Sequence, residues 1–224
     1  MQTKRVDMDY MQLRTMVANM SYTALSMLQD TITAIFNQDQ DLAEKVILKD
    51  KELSTISRRI DRMCIRIVAL YSPKALELRY ISAVHRVIED VERIGDNAKS
   101  ICMELSTNYF AATVNSSDIF ENLTALTKAA VNEAVEAFFD QNTARAKKIV
   151  VEDKEIDGIT KRLIAGYTAN IASGSLKAEL GIALIGIIRR FERIADHAKN
   201  VAGAATYMLG NLSEEEPYEQ DFTY

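Results

Sequence analysis

The sequence predicts an all-α protein built as two tandem, similar three-helix bundles with six long helices. Helix-breaking residues are scarce, since the 224 residues include only two prolines and eight glycines. Apolar residues recur in steps of three and four, which places them on one face of a helix. In addition, two blocks of sequence occur twice in the same order, which indicates a duplicated domain.

The duplicated blocks define the internal repeat. Residues 36–53 resemble residues 139–156, beginning with Phe-Asn-Gln-Asp in the first copy and Phe-Asp-Gln-Asn in the second. Residues 91–99 match residues 191–199 at six of nine positions. The stretch between the two blocks is three residues shorter in the second copy. Because insertions belong in turns, we expect the turn of each copy to absorb this difference.

The repeat divides the chain into two domains, residues 1–108 and residues 109–224, separated in a polar stretch. Within each domain, the expected turns lie at residues 72–73 and 173–175. The end of the chain, residues 213–224, is acidic and has no apolar periodicity, and we interpret it as a frayed tail.

The first helix is predicted over residues 6–36 and the second over residues 41–70. The first has a single apolar stripe, formed by Leu13, Val17, Met20, Ala24 and Met27. The second has an apolar heptad with further apolar residues between its members, namely Val46, Leu53, Ile60 and Ile67, interleaved with Ile56, Met63 and Leu70. Asp41 and Glu44 have the spacing of a capping box at the start of the second helix.

The third helix is predicted over residues 73–105. Ser72 is a favourable N-cap, and Pro73 suits the first helical position, where a missing N–H costs no hydrogen bond. The apolar stripe of this helix consists of Val84, Ile88, Val91, Ala98 and Cys102.

The second repeat follows the same plan. Its three helices are predicted over residues 118–139, 143–172 and 176–209. Asp118 together with Glu121 can cap the fourth helix. Gly174 can end the fifth helix in a left-handed conformation, and Gly210 can end the sixth in the same way.

Charge and targeting features exclude several classes of protein. The net charge is −5 with a pI of about 5.2, and no basic stripe is visible, so nucleic acid is not an expected partner. The start of the chain lacks the apolar core of a signal peptide. The longest apolar run, residues 181–188, is far shorter than the ~20 residues that span a bilayer. We expect a cytoplasmic protein that reaches a membrane only through partners, with Cys64 and Cys102 as buried, reduced thiols.

Pairs of carboxylates four residues apart are the main candidates for a functional site. Glu92 and Asp96 recur in the second copy as Glu192 and Asp196. Each pair lies on one helix face, about one turn apart. Like charges at this spacing repel by roughly 0.2–0.5 kcal/mol, so each pair calls for a compensating cation.

Two kinds of cation remain open. The first is a set of nearby basic side chains, namely Arg93, Lys99, Arg189, Arg193 and Lys199. The second is a metal ion, to which Asp50, Asp153 and Asp157 of the neighbouring helix could contribute. Carboxylate oxygens suit Mg, Ca or Mn, and also carboxylate-bridged iron clusters. His85 is interpreted as a surface residue rather than a ligand.

The duplicated E-R-I-x-D-x-A and D-K-E-[LI] motifs, the segment 207–210 and the repeated helical plan resemble the PhoU family over nearly the whole chain. The resemblance implies two three-helix bundles, a cytoplasmic location, and negative regulation of phosphate uptake and of the phosphate-starvation response. The partners that it implies are the ATPase subunit of the phosphate ABC transporter and the membrane histidine kinase that senses phosphate. We also expect a homo-oligomer, most simply a dimer.

The resemblance also implies a metal cofactor. Some family members bind multinuclear clusters of iron or zinc through [ED]-x-x-x-D motifs on facing helices. The matching pairs here are Glu92/Asp96, Glu192/Asp196 and Asp153/Asp157. Asp50 has no such partner, because residue 54 is Ser54, so metal binding is expected to be weaker in the first bundle. Arg79, Arg189, His197 and Asn200 resemble residues favoured in the family, and we expect the two arginines to pair with the acidic face.

Two other functions are compatible with the same motifs. A PhoU-like accessory of a secondary phosphate permease and a helical scaffold without a small ligand both remain open. A dimetal oxidase is rejected, because Ser82 and Ile194 stand where its E-x-x-H motifs need Glu before His85 and His197. The sequence has no nucleophile–base constellation and no Gly-rich phosphate loop, so no catalytic activity is expected.

Overall fold

The computed structural model describes residues 2–105 and 118–209, and 93% of these residues are helical. The helices are α1 (Gln2–Asn37), α2 (Gln40–Tyr71), α3 (Ala75–Leu105), α4 (Asp118–Phe139), α5 (Thr143–Ala172) and α6 (Ala178–Leu209). The prediction of an all-α fold with six long helices is confirmed. The predicted domain division at 108/109, the cap at Gly210 and the acidic tail lie outside the described residues.

The six helices form two bundles that share an interface. Helices α1, α2 and α3 pack against one another, and so do α4, α5 and α6. The most extensive contact of the fold joins α3 to α6, with a smaller contact between α1 and α4. An aromatic chain crosses the smaller contact, since the ring of Phe120 lies 6.0 Å from that of Phe36 and 5.9 Å from that of Phe191. The repeats therefore meet mainly through the third helix of each, with α1 and α4 as a second, smaller contact.

The predicted apolar stripes form the core. Every stripe residue of α1 and α3 is buried, as are the heptad residues of α2. Of the interleaved residues, Met63 is buried and Ile56 is partly buried, whereas Leu70, in the last turn of α2, is 56% exposed. Cys64 and Cys102 are buried free thiols, as expected.

The N-terminus of α2 differs from the prediction. Asp39 is the N-cap, and its side chain accepts a hydrogen bond of 2.9 Å from the backbone N–H of Leu42. The predicted capping box of Asp41 and Glu44 is wrong, because both residues already lie inside the helix. The cap lies two residues earlier than the apolar pattern indicated.

The turn between α2 and α3 also differs. Ser72 adopts a left-handed conformation (φ 47°) and donates its N–H to the carbonyl of Val68, which closes the end of α2. An N-cap residue takes an extended conformation instead, so the assignment of Ser72 as N-cap and Pro73 as first helical residue is wrong. Helix α3 begins at Ala75.

The corresponding turn in the second repeat is confirmed at Gly174, which has φ 75° and donates its N–H to the carbonyl of Ile171. The expectation that the turn is shortened in the second repeat is wrong. The turn spans residues 173–177 there and only 72–74 in the first repeat. The missing residues are therefore lost from the adjoining helix ends.

Within the described residues, none of the helices combines the length and the apolar composition that a bilayer crossing requires.

Candidate functional site

Each repeat contains an equivalent ion pair between a lysine and a buried aspartate. In the first bundle, Lys99 on α3 donates to Asp50 on α2, with Nζ 2.6 Å from Oδ2. In the second bundle, Lys199 on α6 donates to Asp153 on α5, again at 2.6 Å. Both aspartates are largely buried, with 10% and 13% of the side chain exposed. Each lysine thus joins the helix that carries the acidic pair to a buried aspartate of the preceding helix.

Around this ion pair, the first bundle has fewer carboxylates than the second. Ser54 stands where the second repeat has Asp157, so this bundle has one carboxylate fewer. Its hydroxyl donates a hydrogen bond of 2.7 Å to Glu92. Burial raises the pKa of Asp96, and the nearby Asp50 carboxylate raises it further. Arg93 lies 3.8 Å from Asp96, one turn earlier on α3.

The second bundle concentrates more negative charge. Burial raises the pKa of Glu192, and the carboxylates of Asp157 and Asp196 add to the rise. Arg189 acts in the opposite direction on the same pKa. Lys199 also contacts Asp196, with Nζ 3.1 Å from Oδ1. One lysine therefore bridges two of the predicted ligands, while Glu192 and Asp157 repel each other.

The donor chemistry of these residues suits a hard cation, since all the candidate ligands are carboxylates. In the first bundle, Oδ1 of Asp50 is buried and has no hydrogen-bond partner among the described residues. Across residues 2–105 and 118–209, however, no three His, Cys, Asp or Glu side chains are grouped so that they could hold a metal ion. A metal would have to replace Lys99 at Asp50 or Lys199 at Asp153.

Two other residues considered from the sequence, His85 and Arg79, lie away from the predicted metal ligands. His85 is half exposed and lies 3.4 Å from Asp61, as expected for a surface residue. The guanidinium of Arg79 lies over the ring of Tyr207, 5.6 Å from its centre, so this arginine contacts the opposite repeat. Arg86 lies over the same ring at 4.7 Å.

A contact that the sequence analysis did not identify joins the two repeats. Asp90 on α3 lies 2.9 Å from Nδ1 of His197 and accepts a hydrogen bond of 3.1 Å from Asn200, both on α6. His197 and Asn200 were singled out only by resemblance. The internal repeat gave no indication of Asp90, because the matching residue of the second copy is Arg190.

Comparison with known proteins shows similarity across both repeats. The family model described as "PhoU domain" matches residues 17–105 and, a second time, residues 120–205. The phosphate-specific transport system accessory protein PhoU of Escherichia coli K12 is 30% identical over 197 residues, which cover 88% of this chain and 82% of that protein. The accessory protein PhoU homolog 1 of Thermotoga maritima is 29% identical over 201 residues, which cover 88% and 85%.

Solved structures agree with the fold. The crystal structure of PhoU from Pseudomonas aeruginosa superposes with a TM-score of 0.85 at 24% identity, covering 90% of this chain and 97% of that one. The phosphate transport system regulatory protein PhoU from Streptococcus pneumoniae superposes with a TM-score of 0.84 at 21% identity, covering 93% and 99%. Because the family model matches both repeats and the similarity spans most of the chain, this protein belongs to the PhoU family.

Proposed function

We propose that this protein is a cytoplasmic accessory of a phosphate-specific transport system that restrains phosphate uptake and the phosphate-starvation response. The observation that supports it best is the similarity to the E. coli accessory protein, which extends over 88% of the chain at 30% identity. Both repeats take part in that similarity, so the proposal covers the whole two-bundle unit rather than one shared domain.

The proposed mode of action is binding to other proteins, without catalysis. The partners that we propose are the ATPase subunit of the phosphate ABC transporter and the phosphate-sensing histidine kinase. The family resemblance implies these two partners. The relatives in E. coli and Thermotoga maritima are accessory proteins of phosphate-specific transport systems, which supports association with such a system. Two bundles that meet through α3 and α6 present their remaining helix faces for such contacts.

Deletion of the gene tests the proposed regulation. We expect phosphate-starvation genes to be expressed in phosphate-rich medium in the deletion strain, and re-expression of the intact protein to restore repression. A reporter under a starvation-induced promoter measures both. If reporter expression is unchanged in the deletion strain, the regulatory proposal is wrong, and the permease accessory or the scaffold becomes the better explanation.

Affinity capture tests the proposed partners. The tagged protein is expected to retain the transporter ATPase and the histidine kinase from detergent-solubilised membranes, whereas a tagged unrelated helical bundle is not. Retention of a secondary phosphate permease in place of both would support the permease accessory instead.

We further propose that the carboxylates of the second bundle hold a metal ion or cluster, with iron, zinc and manganese as the metals to test. The proposed ligands are Asp153, Asp157, Glu192 and Asp196, which lie on the facing helices α5 and α6. The repulsion that raises the pKa of Glu192 supports the proposal, because a bound cation would relieve it. Lys199 is the competitor that such a metal must displace from Asp153 and Asp196.

A further inference from the structure

A polar surface groove lies between α3 and α6, where the two repeats meet. Its volume is about 580 Å³, and its lining includes residues at matching positions of the two repeats. Arg93 on α3 corresponds to Arg193 on α6, so the groove has one arginine on each side. Arg190 is a third, without a counterpart of its own type. We call this feature the inter-repeat groove.

The arginines of the groove have donors to spare. Arg190 has Glu104 as its nearest carboxylate, at 3.8 Å, which is too long for a hydrogen bond. Its Nε is buried and has no hydrogen-bond partner within the described residues. Arg193 forms no ion pair in that part of the chain, and Arg93 has only the 3.8 Å contact with Asp96. An arginine presents five N–H donors, so most of those in the groove remain available for a ligand.

Two carboxylates also line the groove, and their charge is partly met from elsewhere. Asp196 is contacted at 3.1 Å by Lys199, which is not among the lining residues. Asp96 lies 3.8 Å from Arg93, and the charges of Lys99 and Arg93 both act to lower its pKa, against the larger effects of burial and of Asp50. Among the lining side chains, three guanidinium groups stand against two carboxylates. Lys199 adds no net charge to this balance, because it is already paired with Asp153 at 2.6 Å. The groove therefore favours an anionic ligand.

The α6 side of the groove is held in position by the other repeat. His197 and Asn200 both line the groove, and both contact Asp90 of α3, at 2.9 and 3.1 Å. This contact fixes their side chains on the groove wall. Asn97 and Ser100 occupy the matching positions on α3 and add neutral hydrogen-bonding groups.

The chemistry of the lining identifies the class of anion. None of the described lining residues is aromatic or apolar, so a nucleobase or an acyl chain would find no surface to stack or pack against. Guanidinium groups match the oxygens of phosphate in bidentate pairs, and several of them can contact one multiply charged oxyanion. We propose that the inter-repeat groove binds a phosphoryl oxyanion, either inorganic phosphate or a condensed phosphate such as pyrophosphate, between Arg93 and Arg193. This inference deepens the proposed regulatory function, since it gives the protein a direct ligand related to phosphate status.

Calorimetric titration of the purified full-length protein tests the proposal. Phosphate and pyrophosphate are titrated separately in buffer with chelator and fixed ionic strength, so that binding through a carboxylate-held metal does not contribute. We expect one saturable site per chain for at least one of the two anions, and the stronger binder identifies the ligand. In the double variant Arg93→Gln/Arg193→Gln we expect at least a tenfold loss of affinity. The exposed Arg162, on α5 outside the groove, provides the matched control Arg162→Gln, which should bind like the wild type.

Circular dichroism and thermal unfolding verify that the variants fold, and Arg193→Gln alone serves if the double variant does not. The proposal is overturned if neither anion shows saturable binding, or if the affinity is unchanged in the folded groove variant. It is also overturned if Arg162→Gln weakens binding equally, because the effect would then be one of overall charge. These results are independent of the deletion experiment: loss of the groove site with intact repression would leave the regulatory proposal standing, and the reverse would leave the groove site standing.

Discussion

At the scale of single residues, an aspartate of the second helix in each repeat is held by a lysine from the neighbouring third helix. Lys99 and Lys199 make the same 2.6 Å contact, to Asp50 and to Asp153. A buried carboxylate needs a partner, and an ammonium group that donates a hydrogen bond provides charge and donor together. Asp50 and Asp153 are therefore paired without a metal, whereas Glu192 and Asp157 still repel each other. A metal at the proposed site competes with Lys199.

Removal of Glu192 and Asp196 tests the metal proposal. We expect Glu192→Ala/Asp196→Ala to abolish metal binding in the second bundle and leave the fold intact, since hard cations need several oxygen ligands. Elemental analysis after incubation with iron, zinc or manganese, alongside thermal unfolding, measures both effects. Glu92→Ala/Asp96→Ala is the matched control and should lose less metal, because the first bundle carries Ser54 in place of one carboxylate.

The competing lysine gives a second arm to this experiment. Lys199→Met should increase metal retention, because Asp153 and Asp196 form no other ion pair within the described residues. If the wild type and this variant both carry no stoichiometric metal after incubation, the carboxylates serve only as ion-pair partners and the metal proposal is wrong.

The two cysteines should be unreactive in the folded protein. Burial raises the pKa of the Cys64 thiol to about 12 and that of Cys102 to about 11. The reactive thiolate is therefore scarce at pH 8, and both sulfurs are also shielded from solvent. Iodoacetamide at pH 8 is expected to label neither cysteine in the native protein and both in denaturant, as read by mass spectrometry. Fast native labelling of either residue would contradict this burial.

At the scale of helices, the packing of α2 against α3 depends on one glycine. A Cβ placed on Gly95 would lie 2.2 Å from Cδ2 of Leu53, which is fully buried. In the second repeat, Ala195 corresponds to Gly95 and Ile156 corresponds to Leu53. The larger alanine is therefore accompanied by a side chain that branches at Cβ instead of Cγ. The contact between the second and third helices is thus made by a different pair of residues in each bundle.

Gly95→Ala should destabilise the protein by about 1–3 kcal/mol, because the overpacking against Leu53 outweighs the better helix propensity of alanine. Chemical denaturation measures the change. The double variant Gly95→Ala/Leu53→Ile, which copies the pair of the second repeat, should recover part of the loss. Gly203→Ala is the matched control: nothing lies within 4 Å of its added Cβ, and it should stabilise the protein by up to about 1 kcal/mol. A neutral Gly95→Ala would show that Leu53 moves aside freely.

At the scale of the whole molecule, the two repeats form one structure through α3 and α6. Their interface contains the contacts of Asp90 with His197 and Asn200 as well as the stacking of Arg79 and Arg86 on Tyr207. Independent unfolding of one repeat would expose this interface on the other. The two repeats are therefore expected to unfold together.

Asp90→Ala tests this coupling. We expect it to lower the free energy of unfolding by about 1–3 kcal/mol, because His197 and Asn200 lose their shared acceptor. Glu89→Ala, at the adjacent and exposed position, should change it by less than about 0.5 kcal/mol. Calorimetry of the wild type should give a single transition whose calorimetric and van't Hoff enthalpies agree. Two separate transitions would show that the repeats unfold independently.

The sequence alone determined the helices, the repeat and the composition of the core. The stripe residues of α1 and α3 are buried as predicted, and the family motifs lie where their spacing placed them. This succeeds because helix geometry is local: residues three and four apart share a face whatever the rest of the chain does. The caps at Asp39 and Ser72 were missed because a turn of two or three residues depends on backbone angles that the apolar pattern does not encode.

Only the tertiary structure decided which charged groups meet. The sequence indicated Lys99 only as one of several cations near the acidic pairs, whereas the structure shows that Lys99 donates to Asp50 on another helix. The contact of Asp90 with His197 likewise depends on how α3 lies against α6. The partner of a side chain on a different helix is set by the rotation, tilt and offset of two helices relative to each other. No spacing within a single helix contains these quantities, so the sequence predicted the faces and the packing of α2, α3, α5 and α6 determined the pairs.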